Sequence, residues 1–538
     1  MSLIPADFRV VAPPICIPGA EVELRVPGGA GGNLTIYRLH EAVAKLKIPP
    51  GERLRWPTPR EDGVGYLLVA TRGKQRAVAG LDVSRSWTQF PRYGFLSEFS
   101  PEIGKHANAR VAQLAEYRLN ALQFYDWHWR HEAPVAPTAD WQDLARRPIS
   151  GATVRALVRE CHANGMKSMA YNLIYGSFED GDQHGARREW GLFEDAAATR
   201  AWTHPLPSTW MTPRLRVMDP SSTGWRAHLF KGMKAAMTEF GFDGWHADQL
   251  GDPGARFTRT GQEERLAPMF SDFLRAAKVA VPGALIFNNV AGYGLDETAR
   301  APVDALYVEA WEWTTPDLQA LADVVTRGRM LGKQVIIAGY LNSRYQSKFS
   351  REKPGNFNPH AMLAAEATVI AAGGWKLSLG DNLDSLCTEY FPHKNLRLSD
   401  ALRAQMLNYA QFGVAYQNLL RGTDVRPLAL ETGGDERIAG RATPHKVWLF
   451  GRMAGMRRVL HLINLTGRSE TSWRDLDGTA EASAPIQNLR VKLPPGMTRA
   501  WWASPDGDLL PRELKIKEGY VIVPKLERWT MIYGDASA

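Results

Sequence analysis

The chain contains very few cysteines, which excludes several kinds of site. Its 538 residues include three, Cys16, Cys161 and Cys387, which lie too far apart for a zinc or redox motif. An odd, low number gives no disulfide framework and is compatible with a reducing compartment. The sequence also lacks CxxC, HExxH and EF-hand patterns. We therefore predict neither a metal site nor a cofactor.

Long apolar runs are missing as well. No stretch approaches the roughly 18 apolar residues that a membrane helix needs. The N-terminal segment MSLIPADFRVVAPP has neither the basic nor the apolar region of a signal peptide. As it stands, the sequence predicts a cytoplasmic protein without a membrane partner. A secreted or periplasmic protein whose leader had been removed would look the same.

Positive charge is not concentrated in any segment. The chain has 65 Lys and Arg against 57 Asp and Glu, a net charge of +8. A nucleic-acid-binding protein gathers its basic residues on one face or arm, whereas here they are mixed with acidic ones. We therefore predict a solvated surface and no nucleic-acid partner. The oligomeric state is left open.

The pattern of apolar residues divides the chain into three parts. Residues 1–89 contain short alternating segments broken by Gly and Pro, which predicts a small β-sandwich. In residues 90–415 short apolar runs alternate with amphipathic stretches of helical length, which predicts an α/β fold with a parallel sheet. From residue 416 to 538 the alternating pattern returns and predicts a second β-sandwich.

The middle part has the strand number of a TIM barrel, (β/α)8. An open doubly wound sheet is the alternative, but it would need a Gly-rich phosphate-binding turn after its first strand, which the sequence lacks. A long insertion after the third strand, residues 173–222, is expected to form a lid or a wall of a cleft. The eight candidate strands are GFLSEF (94–99), ALQFYD (121–126), KSMAYN (167–172), FDGWHAD (242–248), ALIFNN (284–289), ALYVEAW (305–311), QVIIAGYLN (334–342) and WKLSLGD (375–381).

Polar and aromatic side chains follow these strands, where a TIM barrel carries its active site. Acids and amides can hydrogen-bond the hydroxyls of a sugar, and aromatic rings can stack on its apolar faces. The residues in question are Glu98, Tyr125, Asp126, Trp127, His128, Arg130, Tyr171, Asn172, His246, Asp248, Asn288, Asn289, Glu309, Trp311, Glu312, Tyr340, Asn342, Asp381 and Asn382. This set predicts a polyhydroxylated ligand.

Two of these acids are candidates for the pair of carboxyl groups that glycoside hydrolysis needs. Asp248 ends the fourth strand and Glu309 ends the sixth, so both can face one cleft. Asp252 and Glu312 are competitors, and Asp243, at the start of its strand, is expected to be structural.

A resemblance to a known family becomes visible at these residues. The segments FLSEFSPEIG, LNALQFYDWHWRHE, MAYNLIYG, VMDPSS, FDGWHADQLGD and YVEAWE resemble, in this order, glycoside hydrolase family 66. The resemblance implies an N-terminal immunoglobulin-like domain, a (β/α)8 barrel and a C-terminal β-sandwich. It also implies retaining cleavage of α-1,6-glucan, with Asp248 as nucleophile and Glu309 as acid/base. The donor-side cleft would be lined by Tyr125, Asp126, Tyr171, Asn172, Asp219, His246 and Asn289.

The sequence does not decide whether the glycosyl group is transferred to water or to a sugar hydroxyl. A hydrolase of dextran or isomaltooligosaccharides is predicted, and a transferring or cyclising glucanotransferase is the alternative. The alternative from a different class is a non-catalytic carbohydrate-binding protein. The chain shows no room for an inserted carbohydrate-binding module, which weighs against cyclisation.

Four tryptophans are predicted to wall the cleft: Trp127, Trp129, Trp245 and Trp311. Because alternate residues of a strand point to opposite sides, at least one of them should pack in the core instead.

Overall fold

The computed structural model describes residues 8–389, 391 and 394–535, and its centre is a nearly closed parallel barrel. Eight strands are hydrogen-bonded in chain order, each parallel to the next. The N–H of Phe95 donates to the carbonyl of Leu379 at 3.2 Å and joins the first strand to the chain just after the eighth. The predicted α/β barrel is therefore confirmed. Its strands are Tyr93–Leu96, Ala121–Phe124, Lys167–Leu173, Gly244–Asp248, Ala284–Val290, Ala305–Ala310, Val335–Gly339 and Trp375–Leu377.

Helices follow the strands and cover the outside of the barrel. Several begin at a side chain that accepts a backbone N–H, as Ser222, Asp317 and Asn358 do, because the first turn of a helix leaves such groups unpaired. The helices are Pro101–Gly104, Ala107–Glu116, Gly151–Ala163, Thr223–Phe240, Ala267–Ala280, Leu295–Ala299, Leu318–Met330, Pro359–Ala371, Asp400–Ala415 and Gln417–Arg421.

Sheets of mainly antiparallel strands lie before and after the barrel. The first region has a four-stranded and a two-stranded sheet with an apolar core of their own. Its strands are Glu21–Arg25, Asn33–Arg38, Glu41–Lys47, Arg53–Pro57, Val64–Arg72 and Gln75–Val83. The last region has strands Val425–Leu428, Ile438–Ala439, Val447–Ala454, Arg457–Asn464, Ile486–Lys492, Ala500–Ala503, Arg512–Leu514, Tyr520–Leu526 and Trp529–Asp535. That these regions are sandwich domains bounded at 1–89, 90–415 and 416–538 stays a prediction.

The remaining strands and helices are short and lie outside the eight barrel strands. The insertion after the third strand forms a three-stranded sheet, Gly176–Phe178, Thr203–Pro205 and Arg214–Val217. The other short strands are Asp140–Gln142, Pro148–Ser150, Arg256–Phe257, Glu263–Glu264, Gly355–Asn356 and Leu396–Arg397. Helices of the 3₁₀ type are Trp87–Gln89, Gly181–His184, Arg188–Trp190, Tyr345–Lys348 and Asp381–Leu383.

Two remaining expectations concern the cysteines and the membrane. Cys16, Cys161 and Cys387 are free thiols in the interior. Within the described ranges, no helix is both long and apolar enough to span a bilayer. Residues 1–7, the start of the segment from which the location was predicted, lie outside the described part of the chain.

Candidate active site

Alternation along the strands sorts the predicted site residues into two sets. Tyr171, His246, Asp248 and Glu309 point into the barrel and line one cavity of about 300 Å³. Their strand neighbours Ala170, Ala247 and Val308 pack in the core between the strands and the helices. The cavity is lined by Gln123, Tyr125, Asp126, His131, Leu144, Tyr171, Leu173, His204, Leu206, Trp210, Leu215, His246, Asp248, Gln249, Leu250, Asn288, Val290, Tyr307, Glu309, Trp311, Trp313, Tyr340, Glu389 and Phe391.

Asp248 ends the fourth strand and is held by three donors. The Tyr171 hydroxyl donates to its Oδ2 at 2.7 Å, and Asn288 Nδ2 donates to its Oδ1 at 2.7 Å. The backbone N–H of Gln249 adds a third bond at 2.8 Å. Burial raises the pKa of the Asp248 carboxyl, whereas these three hydrogen bonds stabilise the carboxylate and lower the pKa. The carboxylate is thus fixed in one orientation at the floor of the cavity.

Glu309 lies on the sixth strand and is only 9% exposed. Burial, and then the neighbouring charge of Asp248, raise the pKa of Glu309 to about 7. Hydrogen bonds from Asn288 and Tyr340 act in the opposite direction but do not offset burial. A carboxyl group with this pKa is largely protonated in mildly acidic solution and can donate a proton.

Asn288 connects the two carboxyl groups. Its Nδ2 donates to Asp248 Oδ1 at 2.7 Å and to Glu309 Oε2 at 2.9 Å. Because both oxygens are bonded to the same nitrogen, they are at most about 5.6 Å apart. The two acids therefore face the same small volume.

His246 forms part of the floor together with two tyrosines. Its Nδ1 lies 3.1 Å from the Tyr93 hydroxyl, and the ring of Tyr307 meets the imidazole edge to face at 4.6 Å. Burial lowers the pKa of His246 to about 3, so the ring is neutral. Its Nε2 has no hydrogen-bond partner among the described residues. This atom is available to a ligand in the cavity.

Asp126 is held by an arginine that the sequence analysis did not select. Arg147 bonds Asp126 through Nη2 at 2.8 Å and Asp143 through Nε at 2.6 Å. Burial raises the pKa of Asp126 to about 7 although Arg147 counteracts it. Asp126 also adopts a positive φ of 50°, which is rare for residues other than glycine, Asn and Asp.

The predicted roles of Asn172, Asn289 and Trp127 in substrate binding are corrected by the structure. Asn172 Nδ2 donates to the carbonyl of His131, and Asn289 bonds Tyr293 and Thr298, so both amides serve the structure behind the strands. Trp127 is fully buried against Phe240 and Phe242. The cavity residue of the fifth strand is Asn288, the one next to the predicted Asn289.

Three predicted acids also lie away from the cavity. Asp219 accepts the N–H of Ser221 at 2.7 Å in a turn. Asp381 accepts from the backbone and hydroxyl of Ser97 at 2.6 and 2.8 Å, which ties the end of the eighth strand to the first. Glu312 is ion-paired with Arg474 at the rim. Each is a structural contact rather than part of the cavity lining.

Of the four tryptophans predicted to wall the cleft, Trp311 lines it. Trp127 and Trp245 pack behind the barrel strands, as the alternation of strand residues predicted for at least one. Trp129 packs against His184 and beneath Arg130. Trp313, which stacks on Trp311 at 4.8 Å, and Trp210, from the long insertion, also line the cavity.

Trp311 is supported from the C-terminal region. The Arg474 guanidinium lies 5.1 Å from the centre of the Trp311 ring, and its Nε donates to the carbonyl of Tyr340 at 2.9 Å. No local pattern in the sequence signals this contact, because the partners are more than 130 residues apart.

Comparison with known proteins identifies the family. The sequence pattern of glycosyl hydrolase family 66 matches residues 16–533. The chain belongs to this family. It is accordingly a glycoside hydrolase, as the sequence analysis predicted, and the alternative of a non-catalytic carbohydrate-binding protein is set aside.

Individual family members resemble the chain over most of its length. A cycloisomaltooligosaccharide glucanotransferase of Niallia circulans is 25% identical over 693 residues, which cover 96% of this chain and 70% of the relative. A dextranase of Streptococcus salivarius is 26% identical over 569 residues, 88% of this chain and 67% of the relative.

A solved structure shows the same fold. It is the cycloisomaltooligosaccharide glucanotransferase of a Paenibacillus species, complexed with cycloisomaltoheptaose. The two structures match with a TM-score of 0.89 at 22% identity, over 98% of this chain and 99% of the other.

Proposed function

We propose that the protein cleaves α-1,6-glucosidic bonds of dextran or isomaltooligosaccharides with retention of configuration. The names of the relatives, a dextranase and glucanotransferases that form cyclic isomaltooligosaccharides, support the substrate class. The geometry of Asp248, Asn288 and Glu309 supports the mechanism.

The separation of the carboxyl groups is the observation that carries the mechanism. Retaining glycosidases place their two carboxyl groups about 5–5.5 Å apart, and inverting ones about 6.5–9.5 Å apart to leave room for water. The bridging oxygens of Asp248 and Glu309 are at most about 5.6 Å apart. This distance favours direct attack of a carboxylate on the anomeric carbon.

The different environments of the two acids support the roles that we propose for them. Asp248 accepts three hydrogen bonds, which favour the charged form that a nucleophile needs. Glu309 has a pKa of about 7 and can protonate the departing glycosidic oxygen. Asp248 attacks the anomeric carbon as that oxygen leaves, which forms a glycosyl ester. The ionised Glu309 then takes a proton from water, and the water oxygen displaces Asp248.

Neutral groups around the pair would hold the glucosyl residue. His246, Asn288 and Gln123 line the cavity, and His246 Nε2, Asn288 Oδ1 and Gln123 Oε1 are buried without a partner in the described part of the chain. Such buried polar atoms are costly unless a ligand or water satisfies them. Sugar hydroxyls can supply the missing bonds.

Transfer to a sugar acceptor is the second candidate reaction. Trp313 is 64% exposed, stacks on Trp311 and lies near Glu309, so it offers a flat apolar face at the mouth of the cavity. A second sugar stacked there could deliver a hydroxyl to the glycosyl ester in place of water.

Product analysis of variants tests the proposal. Wild-type protein is incubated with dextran, isomaltooligosaccharides, starch and pullulan, and the products are separated by chromatography. Activity on the first two alone is expected. Asp248→Ala should abolish turnover, while Asp252→Ala, an exposed acid of the following loop, should retain it as a matched control.

Glu309→Ala should recover activity with azide, which attacks the glycosyl ester without a general base. Glu263→Ala, at an exposed glutamate outside the cavity lining, serves as its control. Near-normal activity of Asp248→Ala would contradict the assignment.

A further inference from the structure

The cavity has two layers of opposite chemistry. Four polar residues of the lining are each followed, two positions later in the sequence, by an apolar residue that also lines the cavity. These apolar residues lie toward the mouth. Leu173 and Val290 are still strand residues, so they face the same side as Tyr171 and Asn288 at a separation of about 6.6 Å. Leu250 and Trp311 follow the ends of their strands and line the same cavity. The polar and apolar members pair as Tyr171 with Leu173, Asp248 with Leu250, Asn288 with Val290, and Glu309 with Trp311.

Segments at the barrel mouth extend the apolar layer on one side. Leu144, Leu206, Trp210 and Leu215 line the same cavity. They belong to one apolar cluster that also includes Leu173 and Leu250, so the wall is packed rather than loose. The side chain of Leu206 itself is only partly buried and can contact a ligand.

The two histidines near this wall, His131 and His204, carry no charge at neutral pH. Burial lowers the pKa of His204 and brings that of His131 to about 4. His131 Nδ1 bonds Asn172 at 2.7 Å, and Gln249 Oε1 accepts the N–H of Gly251 at 2.5 Å. Gln249 Nε2 is buried and has no partner in the described part of the chain.

We propose that this apolar layer binds an aryl or alkyl aglycone of an α-glucoside. The inference rests on the proposed function, because it places the glucosyl residue in the polar layer and the scissile bond between the layers. Leucine and valine side chains cannot form the hydrogen bonds that sugar hydroxyls lose when they leave water. Each methylene group of a ligand that these side chains bury, in contrast, strengthens binding about fourfold. Trp210 and Trp311 offer flat faces to an aryl ring. The enzyme would thus accept amphipathic glucosides in addition to isomaltooligosaccharides.

Binding to an inactive variant tests this without turnover. Asp248→Asn is titrated by calorimetry with methyl, butyl and hexyl α-glucoside. The dissociation constant is expected to fall at least tenfold from methyl to hexyl. Adding Leu206→Asn should weaken hexyl binding at least threefold and leave methyl binding unchanged. Leu331→Asn, the same exchange on the outer surface of the barrel, should change neither.

Each outcome separates this inference from the proposed function. Equal binding of the three glucosides would overturn the apolar site and leave the proposed function standing. Failure of all three to bind would contradict the proposed function as well. If Leu206→Asn does not fold, Val290→Thr, which keeps the shape of the side chain, replaces it. An unchanged chain-length dependence in the folded variant would also overturn the inference.

Discussion

At the scale of single residues, the site depends on neutral groups that orient two acids. Asn288 Nδ2 bonds both Asp248 and Glu309 and so fixes the orientation of each carboxyl group relative to the other. Burial separates the two acids from water and raises the pKa of Glu309 to about 7.

The raised pKa of Glu309 has consequences for both activity and stability. As general acid Glu309 must be protonated, so kcat/KM should fall as the pH rises through about 7. The folded protein binds this proton more tightly than the unfolded chain, so stability is lost between the ordinary pKa of 4.5 and about 7.

Glu309→Gln should therefore raise the free energy of unfolding above pH 7 by up to about 3 kcal/mol. The gain should disappear near pH 4. Denaturant unfolding at both pH values checks this, and an equal effect at the two values would contradict the assigned pKa.

Tyr93 is expected to position His246. If the Tyr93 hydroxyl donates to Nδ1, the imidazole carries its proton on Nε2 and presents a donor to the cavity. Tyr93→Phe should lower kcat by about threefold to tenfold. It should also shift the ¹⁵N resonances of His246, which a purely structural role would not. Tyr66→Phe, a buried tyrosine of the N-terminal region, is the control.

At the scale of elements, strand alternation decides which residues can act. The apolar runs predicted all eight strands, because a buried parallel strand needs a continuous apolar segment. They did not predict which of two adjacent amides faces inward, since Asn288 and Asn289 are chemically identical and the strand is apolar on both faces. The insertion at 173–222 was expected to form a lid or a wall of a cleft, and Leu206 and Trp210 do line the cavity. The sequence did not indicate which of its residues would do so, because loop conformation depends on contacts distant in sequence.

This pair of asparagines gives a matched experiment on one strand. Asn288→Ala should lower kcat by about 10²-fold with little change in stability, because the two carboxyl groups lose the donor that positions them. Asn289→Ala should instead lower the free energy of unfolding by about 1–3 kcal/mol, because it leaves the buried hydroxyl oxygen of Thr298 without its donor. Kinetics and denaturant unfolding of both variants check the contrast, which reversed effects would refute.

At the scale of the whole molecule, the barrel and the C-terminal region share the site. Within the described part of the chain, neither flanking β-region contributes a residue to the cavity lining. Arg474 nevertheless crosses from the C-terminal region, is 4% exposed and contacts Trp311, Tyr340 and Glu312. The region thus supports the mouth of the barrel directly.

Arg474→Met tests this support, because it keeps the length of the side chain and removes its donors. We expect kcat/KM to fall about tenfold, chiefly through KM, as Trp311 loses its fixed position. Arg499→Met, an exposed arginine over Trp501 in the same region, is the matched control. Equal effects of the two exchanges would mean that Arg474 acts only on general stability.

The identity of the nucleophile is the central claim, and covalent trapping tests it most directly. A fluorinated α-glucosyl fluoride forms the glycosyl ester of a retaining enzyme but slows its hydrolysis. Digestion and mass spectrometry of the trapped protein should locate the added glycosyl mass on Asp248. A label on any other carboxylate, or release of product with inverted anomeric configuration, would contradict the account.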